Sequence, residues 1–213
     1  MPIKCGGGPQ KIMYLSEDYW RRKSNVRASA DIHWFTTVGN LFPNCQEFAE
    51  ALAPIAASKN INTHFMNQLT AIDKDNRRAT MRDLKSGTET VHDFDFLHFC
   101  PPQSAPEFIR ENQDLAAANG WLDVDIHTLQ HNKFKNVFGC GDICNLPTAK
   151  TAAAIFSQAP PLVNNLLKEM SLCDKPQKKY HGYSSCPLFV GDDKLMLIEF
   201  AYGAKAQTTF YED

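Results

Sequence analysis

The stretch that decides the fold is NVFGCGD at residues 136–142, a short apolar run that ends in Gly-x-Gly-Asp. After a short loop, the small residues of TAAA at 151–154 predict a helix that begins near Thr148. The glycines carry no Cβ, so the backbone there can approach a ligand closely. We therefore predict a strand, a loop and a helix start that together face a ligand.

The ligand that best suits this unit is a flavin. Asp142 at the strand end can accept hydrogen bonds from ribitol hydroxyls. The helix start offers N–H groups and partial positive charge to the pyrimidine edge, which becomes anionic on reduction. The alternative is a tight turn followed by a helix cap, and the pattern alone leaves it open.

The other elements follow from hydrophobic spacing and turn residues. Helices are predicted at 10–23, 46–59 and about 148–170, the last broken or kinked at Pro160-Pro161. Strands are predicted at 31–37, within 62–73, and at 79–84, 89–93, 94–100, 120–125, 188–190 and 195–200. Alternating strands and helices followed by a meander predict an α/β fold with an antiparallel insertion.

Composition narrows the function classes. The 213 residues carry 22 Lys+Arg and 24 Asp+Glu, a net charge of −2. This balance argues against nucleic acid as a partner, because phosphate binding needs surplus positive charge. No run of about 18 apolar residues predicts a membrane-spanning helix. The opening MPIKCGGGPQ shows no signal or transit peptide.

Cysteine and histidine spacing predicts no metal site. The seven cysteines are odd in number, irregularly spaced and without a CxxC pair, which indicates a reducing compartment. His127 and His131 lie four apart but lack a third ligand, so exposed polar residues are the expected interpretation. His98 is expected to be a core histidine in an apolar strand.

Two cysteines are candidates for redox chemistry. Cys5 precedes three glycines and a helix start, where a thiolate is stabilised and the thiol pKa is lowered, and Lys4 adds a positive charge. Cys186 lies in the small-residue loop GYSSCP at 182–187. Taken one at a time, each is better explained as a small buried cysteine in a turn.

The beginning of the chain lacks an expected strand. A glycine-rich loop that opens a helix usually follows a β-strand, and only Met1 to Lys4 precede this one. No complete strand–GxGxxG–helix unit occurs elsewhere. We therefore expect the chain to be the second half of a larger protein, with an internal methionine at its start.

Three motifs in order carry a family resemblance. They are PIKCGGGPQK at 2–11, NVFGCGD with NLPTAKT at 136–151, and KYHGYSSCPL at 179–188. Over essentially its whole length the chain resembles the mitochondrial (eukaryotic) sulfide:quinone oxidoreductases. Against that family, an N-terminal FAD pyrophosphate-binding segment and the C-terminal membrane-associating helices are missing.

The resemblance implies a partial α/β flavoprotein with the two-dinucleotide-binding-domain, disulfide-reductase-like architecture. Residues 1–105 would form an NADH-domain-like α/β unit without its first strand. Residues 106–171 would form the returning FAD-domain segment. Residues 172–213 would form a C-terminal tail that carries the second redox cysteine.

The resemblance also implies the chemistry. Cys5 and Cys186 would form the redox pair, bridged by an extra sulfur at rest, with Cys5 facing the flavin and Cys186 carrying a persulfide. Hydrogen sulfide would be oxidised, ubiquinone reduced, and the sulfur passed to glutathione or sulfite, at the mitochondrial inner membrane. FAD would be lined by Gly141, Asp142, Lys150 and Thr151. Cys140 and Cys144 depart from the family pattern and are read as incidental.

Two alternatives remain. The chain could be a non-catalytic partial relative, because the adenine–pyrophosphate half of FAD has no partners here and the isolated chain is expected to be inactive. It could also be a flavoenzyme like type II NADH dehydrogenase. This second alternative is disfavoured, because its reaction needs no cysteine pair but does need an intact nicotinamide-site loop.

Overall fold

The computed structural model describes residues 4–43 and 45–209, so Pro2 and Ile3 of the first motif lie outside the described residues. The chain divides into two compact units. The first contains residues 7–101 and 188–196. The second contains, among the described residues, 4–6, 102–187 and 197–209.

The first unit begins with two helices and a parallel strand pair: α1 (Gly8–Arg22), β1 (Ile32–Phe35), α2 (Gln46–Ser58) and β2 (Ile61–His64). α2 is the crossover between β1 and β2, which pair from Ile32↔Ile61 onwards. Pro9 suits the first turn of α1, where its missing N–H costs nothing. Both helices lie within a residue or two of their predicted bounds.

The predicted hairpin is confirmed and extended to three antiparallel strands, β3 (Asn67–Asp73), β4 (Arg78–Asp83) and β5 (Glu89–Asp93). The strand predicted at 94–100 is wrong. Phe96 and Phe99 are exposed, so this apolar run buries no continuous face. His98 is exposed as well, which corrects its assignment to the core.

A charge network holds the end of α1 in this unit. The carboxylate of Glu17 is almost fully buried, at 2% exposed. Nζ of Lys59 lies 3.2 Å from Glu17 Oε2 and 2.6 Å from Asp192 Oδ2. Arg21 contacts both carboxylates too. The hydrogen bond from Lys59 is the main cause that lowers the pKa of Asp192 to about 2, and the hydrogen bond from Arg21 is the second.

The second unit has little regular structure before its long helix. It contains α3 (Glu107–Arg110), a 3₁₀ turn (Gly141–Ile143) and α4 (Ala152–Glu169). The strands predicted at 120–125 and 136–142 are wrong, since only isolated bridges form there. Buried side chains rather than a ladder fix this backbone: Trp121, Leu122, Val124, Leu129, Cys144 and Tyr180 share one core.

α4 begins at Ala152, later than the predicted start near Thr148, and does not break at its prolines. Thr151 caps it, accepting a hydrogen bond from the N–H of Ala154 at 3.1 Å. The helix continues through Pro160 and Pro161. Its later turns are anchored by Asn165, whose Nδ2 donates to the carbonyl oxygens of Thr128 and Lys178.

A last sheet contains β6 (Ser184–Gly191), β7 (Lys194–Ala201) and β8 (Lys205–Ala206), in that order. β6 and β7 extend the two predicted strands. Asp192 and Asp193 connect them with φ of 55° and 57°, as a tight hairpin turn requires. Within the described part of the chain, we find no helix whose length and hydropathy would let it cross a membrane.

Candidate active site: two cysteines and the start of α4

Cys5 and Cys186 meet in the second unit. Their Sγ atoms lie 2.8 Å apart although the residues are 181 positions apart in the sequence. Cys186 is buried within β6 and Cys5 is half-buried. A disulfide has about 2.05 Å between its sulfurs, so the two sulfur atoms lie within about 1 Å of that bond length.

The segment that carries Cys5 is held through Lys4. Its backbone N–H donates to Gln103 Oε1 at 2.7 Å, and its carbonyl accepts from the N–H of Lys150 at 2.7 Å. Its Nζ lies 2.9 Å from Asp142 Oδ2. Lys4 therefore connects the first cysteine to two of the residues predicted to line a cofactor.

The segment that carries Cys186 is held by close packing at Gly182. Thr148 Oγ1 donates to the Gly182 carbonyl at 2.9 Å. Gly182 has φ of +88°, and a Cβ there would lie 2.5 Å from the backbone nitrogen of Tyr202 and overlap its ring. Only glycine fits this conformation and this space.

Gly141 and Asp142 lie in the 3₁₀ turn that precedes α4 in sequence. Gly141 has φ of +72°, and its N–H donates to the buried Gln158 Oε1 at 2.6 Å. The carboxylate of Asp142 is half-exposed, at 49%, with Lys4 as its ion-pair partner. The turn therefore presents an accessible carboxylate, with no Cβ at the residue before it.

Lys150 lies close to Asp142 but points into the core. Its Nζ donates to the Cys144 carbonyl and lies 4.2 Å from the centre of the Trp121 ring. Burial lowers the pKa of Lys150 and raises the pKa of the Cys144 thiol to about 12. Cys144 therefore stays protonated at neutral pH, as a packing residue should.

The histidines of this unit do not form a metal site in the described residues, where no group of three potential ligands occurs. His131 is buried, which corrects its reading as an exposed residue. Its Nδ1 accepts from the N–H groups of Lys133 and Phe134, so Nε2–H donates to the carbonyl of Leu115. His131 is a fully bonded core residue.

Sequence reasoning did not identify the buried carboxylate of Glu199. Glu199 in β7 is 3% exposed and accepts from Tyr183 Oη at 2.5 Å and from Thr209. Burial opposes its ionisation, but the hydrogen bonds from Thr209 and Tyr183 outweigh burial and lower the pKa of Glu199. A single acid within an apolar strand carries no sequence signal for these partners.

The fold is similar to those of several solved structures. Sulfide:quinone oxidoreductase from Aquifex aeolicus superposes with a TM-score of 0.77 at 17% identity, over 93% of this chain and 52% of that one. A pyridine nucleotide-disulfide family oxidoreductase from Enterococcus faecalis superposes with 0.52 at 21% identity, over 88% and 42%. A chain in the mitochondrial ATP synthase structure from Tetrahymena thermophila gives 0.77 at 26% identity, over 92% and 47%. The class is thus confirmed as a partial α/β fold of this kind.

The sequence comparison identifies the proteins that this chain resembles. The chain is 41% identical to mitochondrial sulfide:quinone oxidoreductase of Mus musculus and 38% identical to that of Schizosaccharomyces pombe, in each case over 98% of its own length. It spans a little less than half of these relatives, 46% and 45%. No protein-family model matches. The predicted resemblance is confirmed: nearly the whole chain is similar to part of the mitochondrial sulfide:quinone oxidoreductases.

Proposed function

We propose that this chain supplies the redox cysteine pair and part of the flavin site of a sulfide:quinone oxidoreductase. The observation that carries the proposal is the 2.8 Å separation of the Cys5 and Cys186 sulfurs. Two cysteines so far apart in sequence meet only because the fold brings them together. The names of the relatives support the same assignment.

The reaction can begin at a direct disulfide bond between the two cysteines, without the extra bridging sulfur that the resemblance implies at rest. Hydrosulfide attacks the Cys186 sulfur, a new sulfur–sulfur bond forms there, and Cys5 leaves as a thiolate with the electron pair of the broken bond. An acceptor such as glutathione or sulfite then attacks the outer sulfur of the Cys186 persulfide, and Cys186 leaves as a thiolate. The bond between Cys5 and Cys186 forms again as two electrons leave the pair. FAD, when bound, supplies the two-electron acceptor through which the electrons of Cys5 reach ubiquinone.

The residues near the start of α4 fit the ribitol and pyrimidine end of FAD. Gly141 has no Cβ, Asp142 presents a half-exposed carboxylate, and Thr151 begins a helix whose first N–H groups suit an anionic edge. Lys150 contributes its backbone, and burial lowers the pKa of its side chain. We accordingly assign residues 1–105 to an NADH-domain-like unit, 106–171 to the FAD-domain segment and 172–213 to the tail.

The proposed location is the mitochondrial inner membrane, where ubiquinone is available to the complete protein. The relatives in mouse, fission yeast and Dictyostelium discoideum are all named as mitochondrial. The partners we propose are hydrogen sulfide, ubiquinone and a sulfur acceptor, with contact to the membrane surface. The net charge of −2 leaves no surplus of positive charge for nucleic acid phosphates, so we propose no nucleic-acid partner.

A chimera tests the function. The chain replaces the matching part of the mouse relative, and sulfide-dependent reduction of a soluble ubiquinone analogue is measured. We expect activity in the chimera, loss by about a thousandfold or more in Cys5→Ser and in Cys186→Ser, and full activity in the matched control Cys173→Ser. Retained activity in both cysteine variants would overturn the assignment.

The absorbance of the isolated 213-residue chain distinguishes the non-catalytic alternative. The isolated chain contacts only the ribitol and pyrimidine end of FAD, so we expect it to bind FAD weakly and to lose it on gel filtration. The chimera should retain FAD and stay yellow. If neither the isolated chain nor the chimera retained flavin, the chain would be a relative without the cofactor.

A further inference from the structure

Two consecutive residues at the start of α4 hold the two cysteine-bearing segments. The backbone N–H of Lys150 donates to the carbonyl of Lys4 at 2.7 Å, directly before the first cysteine. Oγ1 of the next residue, Thr151, lies 2.9 Å from Oγ of Ser184, two positions before the second cysteine. One short piece of chain therefore contacts both segments.

The Thr151 and Ser184 hydroxyls form a short chain of hydrogen bonds, and the backbone groups at its two ends determine which atom donates in each bond. Ser184 Oγ lies 3.1 Å from the carbonyl oxygen of Ala149, which can only accept, so Ser184 donates its one hydrogen there. Thr151 must then donate to Ser184, and Thr151 Oγ1 itself accepts from the N–H of Ala154. Each hydroxyl thus both donates and accepts, and Ser184 is fully buried.

Strand geometry transmits the position of Ser184 to Cys186. Both residues lie in β6, two positions apart, and side chains with this spacing point to the same face of a strand. Both are buried, at 0% and 2% exposed. Holding the Ser184 side chain therefore restrains the strand at Cys186, whose sulfur lies 2.8 Å from that of Cys5.

We propose that Thr151 and Ser184 are positioning residues for the cysteine pair. Their hydroxyl chain holds the Cys186 thiol against Cys5, which raises the effective concentration of one thiol at the other and so favours the bond between them. This inference rests on the proposed role of the two cysteines. It adds that the residue capping α4 sets their redox equilibrium.

The test is the equilibrium of the 213-residue chain with glutathione. Oxidised glutathione accepts two electrons and two protons from Cys5 and Cys186, one bond forms between their sulfurs, and two reduced glutathiones result. The Cys5–Cys186 peptide is quantified by mass spectrometry after acid quenching and alkylation. We expect Ser184→Ala and Thr151→Val each to lower the equilibrium constant about tenfold, equal to about 30 mV, and Thr151→Ser to restore it.

Two further variants separate positioning from general loss of stability. Tyr202→Phe removes a hydroxyl that donates to the Ile126 carbonyl at 2.7 Å in the same unit, and should leave the equilibrium constant unchanged. In the double variant Thr151→Val and Ser184→Ala, the equilibrium constant should be no lower than in either single variant. Each substitution already removes the hydrogen bond between Thr151 and Ser184.

The inference is overturned if both single variants stay within about twofold of the unaltered chain, if Tyr202→Phe lowers the constant equally, or if the unaltered chain forms no Cys5–Cys186 bond. The equilibrium needs no FAD, sulfide or quinone. Failure of the proposed function in the chimera would therefore not be mistaken for failure of the positioning.

Discussion

The two units of this chain are stabilised in different ways. The first unit is built from helices and hydrogen-bonded strands, and its charged residues pair at the ends of those elements. In the second unit, residues 111–151 contain only a 3₁₀ turn and isolated bridges, yet Leu129 and Cys144 there are fully buried. Asp142 and Lys150 of the proposed site lie where individual side chains, rather than repeating backbone ladders, determine the conformation, whereas Cys186 lies in the strand β6.

The largest effect should come from removing a special backbone position in the second unit. We expect Gly182→Ala to destabilise the protein by about 3 kcal/mol or more, because its Cβ would overlap Tyr202 at a positive φ. The Cys5–Cys186 bond should be lost with it. Urea denaturation and mass spectrometry of the oxidised chain measure the two effects.

Gly203 is the matched control for this substitution. It also has a positive φ, +81°, but a Cβ there meets nothing within 4 Å. Gly203→Ala should therefore cost only the backbone strain, about 1 kcal/mol. Equal losses in the two variants would show that crowding at Gly182 does not hold the cysteine segment.

The next effect should come from the charge network of the first unit. Lys59→Met leaves the buried carboxylate of Glu17 with its arginine partners alone, and we expect a loss of about 2 kcal/mol. Lys74→Met, at an exposed pair with Asp75, should cost almost nothing. Denaturant melts of both variants test this, and a Lys59→Met variant as stable as the control would contradict it.

A smaller effect should appear with pH, and only in the first unit. Burial first, then repulsion from His33 and His92, lowers the pKa of His64 from 6.5. The unfolded chain then binds more protons, so stability is full above pH 6.5 and falls as the pH drops through that value. Hydrogen exchange of the β1 and β2 amides between pH 7.5 and 5.5 should show faster opening at the acidic end.

Substitution identifies the group responsible. His64→Gln should flatten this pH dependence, whereas His98→Gln, at an exposed position, should leave it intact. Faster opening of α4 over the same pH range would mean that the titrating group does not lie in the first unit.

Sequence reasoning predicted the first unit well because its signals are periodic. Helical spacing gave α1 and α2, and the turn at Ser86-Gly87 gave β4 and β5. The strand predicted at 94–100 was wrong because the apolar residues there suggested a buried strand that the structure does not form.

The second unit was predicted less well for a physical reason. At 136–142 an apolar run looks like a strand, but its residues pair singly with distant neighbours such as Gln130. The three motifs did single out the two cysteines. The bonds that hold them, such as Thr151 to Ser184, join residues 33 positions apart and leave no pattern in the sequence.

The most direct test of the account is the fate of one sulfur atom. The chain, oxidised at Cys5 and Cys186, is mixed briefly with hydrosulfide, alkylated and mapped by mass spectrometry. The account predicts the mass of one additional sulfur on the Cys186 peptide and an alkylated thiol at Cys5. Unmodified peptides at both positions, or sulfur added only at Cys140 or Cys173, would contradict it.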